Sequence, residues 1–238
     1  MLECEYIGNR ESPGPGDYTE LFRDLFEASA PDGAPELVSL DVRGGELPAR
    51  PQRYDGYLIT GSYAGVYEEE SWIDELLDFI RRAHRRPVPL VGICFGHQAL
   101  AHALGGRAAK AESGWELGII ETEVDAAAVG SPVWMGEAPE RLKLVYMHQD
   151  QVIEPPPDAV TFARTADCPY AGFTIGATAL GLQGHPEFTE RLTARMIQKD
   201  PARFGPGKAE AALQTLCGEA DSAVAGRWII AFLQRFTS

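Results

Sequence analysis

The sequence predicts an α/β protein with a mostly parallel central sheet flanked by helices, continued by a mixed or antiparallel extension. Three observations predict it. Over residues 1–104, short apolar runs alternate with amphipathic helical segments, the order that builds a parallel sheet with both faces covered. At Gly92, Cys94 and Gly96 a Gly-x-Cys-x-Gly turn joins an apolar run to a helix-forming stretch. Beyond Gly106 the helical period fades and short strand-like runs succeed one another, as in hairpins.

The elements follow in order. Residues 2–7 are a first strand, and 8–16 a loop rich in Gly and Pro. Residues 17–28 carry Leu21, Phe22, Leu25 and Phe26 at helical spacing, with Asp17 as the N-cap. Residues 37–42 and 54–60 are strands, the latter ending in Thr60-Gly61-Ser62. Ser71 is placed to cap a helix with Trp72, Leu76, Leu77, Phe79 and Ile80 on its apolar side. The apolar run 88–93 leads into Cys94, and 98–104 is helical. Strands are expected at 118–124, 142–146, 160–166, 172–175 and 179–183, and helices at 189–198, 208–216 and 221–236. No repeat and no long linker divides the chain, so 1–238 reads as a single domain with 201–238 a helical C-terminal tail.

Composition narrows the function. A 238-residue chain that is 45% hydrophobic can bury a substantial core. The formal net charge of −14 leaves no cationic excess to neutralise phosphates, so no nucleic-acid partner is expected. The first residues lack a basic n-region and an apolar h-region, and no run approaches the ~20 apolar residues of a membrane span. The four cysteines are scattered without a CxxC pair, which suggests neither a metal site nor disulfides and places the chain in the cytoplasm. No Gly-rich phosphate loop is present, and no cofactor is called for.

The chemistry centres on Cys94. A strand–turn–helix elbow strains the backbone and lifts one side chain over the end of a sheet. A thiolate there suits acyl transfer. A thiol nucleophile needs a base, and the base needs an orienting group. His185 and Glu187, two apart just beyond a predicted strand, supply both if the segment is extended. The tetrahedral oxyanion needs donors. The amide of Phe95, after the nucleophile, is one, and the glycine-containing turn Thr60-Gly61-Ser62, after another strand, fits as the source of the second.

Four segments together resemble the class I, triad-type glutamine amidotransferases, in particular the glutaminase domain of GMP synthase and its stand-alone relatives. They are Leu58-Ile59-Thr60-Gly61-Ser62, Gly92-Ile93-Cys94-Phe95-Gly96-His97-Gln98, Val145-Tyr146-Met147-His148-Gln149-Asp150-Gln151-Val152 and Gly184-His185-Pro186-Glu187-Phe188. The resemblance implies a flavodoxin-like class I fold. It also implies cysteine-dependent hydrolysis of the glutamine side-chain amide to glutamate and ammonia, through a glutamyl thioester. Cys94 would be the nucleophile, His185 the base and acid, Glu187 its orienter, and Gly61 and Phe95 the oxyanion donors. Ser62, Gln98, His148, Gln149 and Asp150 would contact substrate. Gln149 departs from the pattern, where a glycine is usual.

Two other readings stand beside it. A γ-glutamyl peptidase, acting on glutathione-like compounds, uses the same triad with a larger leaving amine. A non-catalytic regulatory protein on this fold would leave Cys94 inert to glutamine analogues. About fifty residues follow His185, too few for a synthetase domain, so any ammonia acceptor is expected to be a separate subunit. His84, His97 and His102 are read as packing or solvated residues. Cys4, Cys168 and Cys217 are read as structural, and the stretch beginning at Trp115 as strand and turn.

Overall fold

The alternating first half of the chain folds in the predicted order. A computed structural model describes residues 1–5, 17–30 and 32–235. Within it β1 (Leu2–Glu3), α1 (Asp17–Ser29), β2 (Leu40–Asp41), β3 (Tyr57–Ile59), α2 (Ser71–His84), β4 (Leu90–Ile93) and α3 (Phe95–Ala103) follow one another. Next come β5 (Arg107–Lys110), β6 (Glu116–Val124), β7 (Arg141–His148), β8 (Asp150–Glu154), β9 (Ala159–Arg164), β10 (Gly172–Ile175) and β11 (Ala179–Leu182). Helices α4 (Glu190–Lys199), α5 (Lys208–Thr215) and α6 (Ser222–Gln234) close the described chain.

Nine strands form one mixed sheet in the order β2-β1-β3-β4-β11-β10-β9-β6-β7. The half from β2 to β11 is parallel, and the half from β11 to β7 is the antiparallel extension. Successive side chains of a strand alternate between its faces, and each face has its own core. On one face Leu58, Val91, Ile93, Leu180 and Leu182 pack with Phe22 and Phe26 of α1 and Trp228, Ile229 and Phe232 of α6. On the other, Tyr57, Ile59 and Leu90 pack with Ile73, Leu76, Phe79 and Ile80 of α2 and with α3. The terminal helix therefore buries its apolar side on its own sheet, and the Trp228 indole donates to the Met135 carbonyl at 2.9 Å.

Several local expectations are corrected. The strand expected at 37–42 shrinks to β2, because an edge strand pairs only as far as its neighbour allows. β1 itself stops after Glu3, where the Cys4 N–H donates to the Thr60 hydroxyl at 3.0 Å. Ser71 is the first residue of α2 rather than its cap. Glu70 holds the N-cap position and makes no side-chain cap. Thr189 does cap α4, accepting from Leu192 N–H at 3.1 Å. The antiparallel ribbon of β5 and β8 was not expected. Its Arg-Ala-Ala-Lys strand buries only Ala108 fully and shows no apolar alternation. Asp17 is the first residue of α1 rather than its cap; the loop at 8–16, the end of the strand expected at 2–7 and residue 236 lie outside the described residues. Among the described residues, no helix is long and apolar enough to cross a membrane.

Candidate active site

Three adjacent parallel strands, β3, β4 and β11, end at the same edge of the sheet. Ile93 pairs with Leu182, and the Cys94 N–H donates to the Leu182 carbonyl at 2.9 Å. Gly61 follows β3 by two residues, Cys94 follows β4 directly, and His185 follows β11 by three. Residues 91 positions apart thus meet because their strands are neighbours. The carboxyl ends of strands are where open α/β sheets place their ligands.

The elbow is sterically tight. Cys94 has φ 51° and ψ −104°, a strained conformation for a residue with a side chain, costing roughly 1–3 kcal/mol. A methyl on Gly92 would lie 2.3 Å from the Gly96 carbonyl oxygen, and one on Gly96 would lie 2.3 Å from the Ile59 carbonyl oxygen. Both contacts are with backbone, which cannot swing aside. Gly96→Ala is therefore expected to destabilise the fold by about 2 kcal/mol, seen as a fall of roughly 4–8 °C in the thermal midpoint. An unchanged midpoint would remove this steric account. Cys94 also sits at the start of α3, whose positive dipole end favours negative charge at the sulfur.

His185 and Glu187 meet, but not through the extended segment expected. An isolated bridge to Val145 pins the His185 backbone, and a turn follows in which the Phe188 N–H donates to the His185 carbonyl. The turn brings His185 Nδ1 to 2.8 Å from Glu187 Oε1, with both side chains buried. The imidazole is stacked on Phe188, with centroids 4.0 Å apart and planes 3° from parallel. The same ring hydrogen-bonds the Cys94 sulfur. Burial alone would lower the imidazole pKa. The Glu187 carboxylate, the Cys94 charge and the hydrogen bonds to both outweigh it and raise the value to about 10.

Among the described residues, neither the Gly61 nor the Phe95 backbone N–H is spent on a protein acceptor. A methyl on Gly61 would fall 2.7 Å from the Tyr18 hydroxyl and 2.9 Å from His185 Cε1, so only glycine leaves this space open. Tyr18, on α1, is a cavity residue the sequence reading missed. Its ring lies in a row with those of Phe188 and His185, and its position 43 residues ahead of Gly61 gives no local signal.

A cavity of about 1150 Å³ opens over Cys94 and His185. Ser62, Gln98, His148, Gln149 and Asp150 all line it, whereas Gly61, Phe95 and Glu187 do not. The Phe95 side chain is turned into the core against Trp72, and Glu187 is 3% exposed. Most polar groups expected to contact substrate also hold one another in place. The Gln98 amide donates to the Asp150 carbonyl at 2.7 Å and to Gln183 Oε1 at 3.1 Å. Asp150 Oδ2 accepts from the Tyr67 hydroxyl at 3.0 Å, and burial raises the pKa of this carboxyl. His148 places Nδ1 3.0 Å from the Asp150 carbonyl and Nε2 3.0 Å from Glu116 Oε2. Both of its ring nitrogens face oxygen atoms, which fixes the orientation of the ring.

Glu116, His148 and Cys168 form a second Cys/His/Glu set, with their ligand atoms within 4.8 Å of one another. It is built differently from the first. Glu116 Oε1 accepts from the Thr165 hydroxyl at 2.5 Å, and that hydroxyl accepts from the Cys168 N–H at 2.9 Å. Both carboxylate oxygens are thus engaged. Cys168 is fully buried and does not line the cavity, and burial, with Glu116 beside it, pushes its thiol up. The set braces His148 rather than presenting a nucleophile or an open metal site. His97 is likewise no candidate base, since it is buried on Phe173 and burial lowers it to about 3.

Comparison with known proteins follows the same lines. The family model for class I glutamine amidotransferases matches residues 36–201. The chain is 30% identical over 181 residues to γ-glutamyl peptidase 4 of Arabidopsis thaliana, covering 75% of this chain and 72% of the relative. It is 31% identical over 183 residues to the glutamine-hydrolysing GMP synthase of Aeropyrum pernix, covering 76% of this chain but 33% of that longer protein. A glutamine amidotransferase from Thermotoga maritima superposes with a TM-score of 0.72 at 25% identity, over 100% of this chain and 96% of that one.

Proposed function

The chain belongs to the class I glutamine amidotransferase family, and from that premise we propose that it hydrolyses γ-glutamyl amides through a thioester on Cys94. The observation that carries the reading is the Cys94–His185–Glu187 arrangement at the shared edge of β3, β4 and β11. A protonated His185 stabilises the Cys94 thiolate, which attacks the γ-carbonyl. The amides of Gly61 and Phe95 receive the oxyanion. As the intermediate collapses, His185 gives its proton to the departing nitrogen and the thioester remains. Once the sulfur is acylated, its charge no longer holds the imidazolium. The neutral ring then takes a proton from water, which releases glutamate and regenerates Cys94.

The size of the cavity, about 1150 Å³, favours a leaving amine larger than ammonia. It exceeds the ~300–1,000 Å³ typical of ligand sites. Likeness to a γ-glutamyl peptidase over most of both chains supports the same choice. Glutamine itself is the second reading, supported by likeness to the GMP synthase. In that case ammonia would pass to a separate synthetase subunit. Residues 1–238 act as one unit in either reading, with Arg203 and Phe204 of the helical tail contributing to the cavity wall. All four cysteines are unpaired, which fits a reducing cytoplasm.

Purified protein assayed alone should release glutamate from γ-glutamyl dipeptides faster than ammonia from glutamine. Rapid ammonia release with no dipeptide turnover would reverse the order of the two readings.

A further inference from the structure

We propose that Arg203, held over the rings of Tyr63 and Trp115 at the rim of the cavity, binds the C-terminal carboxylate of a γ-glutamyl peptide's leaving group. The inference rests on the hydrolase reading above and names the substrate class it serves.

The cavity has a deep end and a rim. Cys94 is 6% exposed, whereas Tyr63 is 49% exposed. A glutamyl group acylating Cys94 must occupy the deep end, among Gln98, His148 and Asp150, so the leaving amine extends toward the rim. At the rim the Arg203 guanidinium lies 5.0 Å from the Tyr63 ring centre and 5.1 Å from that of Trp115. Ring contacts of this kind hold a cation without consuming its hydrogen-bond donors on an acceptor, and a guanidinium has five N–H groups with which to take a carboxylate.

The other charges at the cavity identify Arg203 as the group to which an anion would come. Arg43 is already paired with Glu5 at 2.5 Å. Lys110 faces Asp150 across the β5–β8 ribbon and acts on its carboxylate. Glu68 accepts from the Gly65 N–H; Lys199 and Asp200 also line the cavity, and neither is held over an aromatic ring as Arg203 is. Arg203 makes no ion pair with any described residue. Met196 and Phe204 stand in the same wall, an apolar surface suited to the side chain of a peptide residue. Ammonia, the leaving group of glutamine, has no use for either feature.

The test compares γ-glutamyl-phenylalanine with its C-terminal carboxamide, in wild type and Arg203→Gln. Wild type should favour the carboxylate by about tenfold or more in kcat/KM, the scale of a hydrogen bond to a charged group. Arg203→Gln should bring that ratio close to one. Both substrates are measured on one preparation, so loss of folded protein cancels from the ratio. Dipeptide turnover without carboxylate preference in wild type, or a preference that survives Arg203→Gln, overturns the subsite and leaves the hydrolase reading standing. Turnover of glutamine but of neither dipeptide does the same. Failure to hydrolyse any of these substrates overturns both.

Discussion

Cys94→Ala is expected to retain the fold and lose about 10⁴- to 10⁶-fold in turnover, the scale seen when the nucleophile of a covalent hydrolase is removed. Cys168→Ala should keep substantial turnover. The contrast is sharp because the chain has two Cys/His/Glu sets. Only the Cys94 sulfur lines the cavity and is hydrogen-bonded to the imidazole that Glu187 orients. Cys168 is closed off from solvent, and its neighbouring carboxylate is already engaged on both oxygens. A thiol-directed glutamine analogue should label wild type and Cys168→Ala at one site per chain and leave Cys94→Ala unlabelled. Loss of labelling in Cys168→Ala with retention in Cys94→Ala would reverse the assignment, and inert thiols in all three would favour the non-catalytic alternative.

Glu187→Gln is expected to cost about 10³- to 10⁴-fold in kcat, as when the orienting carboxylate of a triad becomes an amide. It should also change the pH profile. Burial lowers the His185 pKa, whereas Glu187, Cys94 and their hydrogen bonds raise it to about 10. Removing the largest of the raising influences lets burial pull the value down. The imidazolium–thiolate pair then gives up its proton at lower pH, so the alkaline limb of kcat/KM moves toward neutrality. The limb belongs to the coupled pair rather than to either residue. A fall in kcat with an unmoved limb would mean that Glu187 positions the ring without setting its charge.

The parts of this molecule most legible in the sequence were those with a local signature. The Cys94 elbow announces itself through two glycines, and the structure gives each a backbone atom it must not touch. Helices α2 and α4 carry a clear apolar stripe. The neighbourhood of the site was harder to read. That β11 lies beside β4 is a pairing across some ninety residues, which no local period encodes. Four motifs could be aligned with a family, but their meeting at one edge came from topology. The β5–β8 ribbon was invisible because its strands are short and lack an apolar alternation. Tyr18 and Arg203 were missed for a different reason: a tyrosine on a helix face and an arginine in a one-turn segment look ordinary until other elements surround them. The His185–Glu187 contact was foreseen from spacing, yet it is made by a turn rather than by strand alternation.

The position of β11 has a consequence for the newly made chain. Cys94 emerges early in synthesis, on a strand with one parallel neighbour available, while the strand that delivers His185 is the last of the eleven to be made and must insert between β4 and β10. Such long-range pairings form late in folding. A nascent protein therefore carries its thiol through some ninety further residues of synthesis without the imidazole that the proposed reaction sets beside it. If the proposed reaction holds, the strand that completes the sheet is also the one that arms the cysteine, so reactivity would arrive together with the folded state.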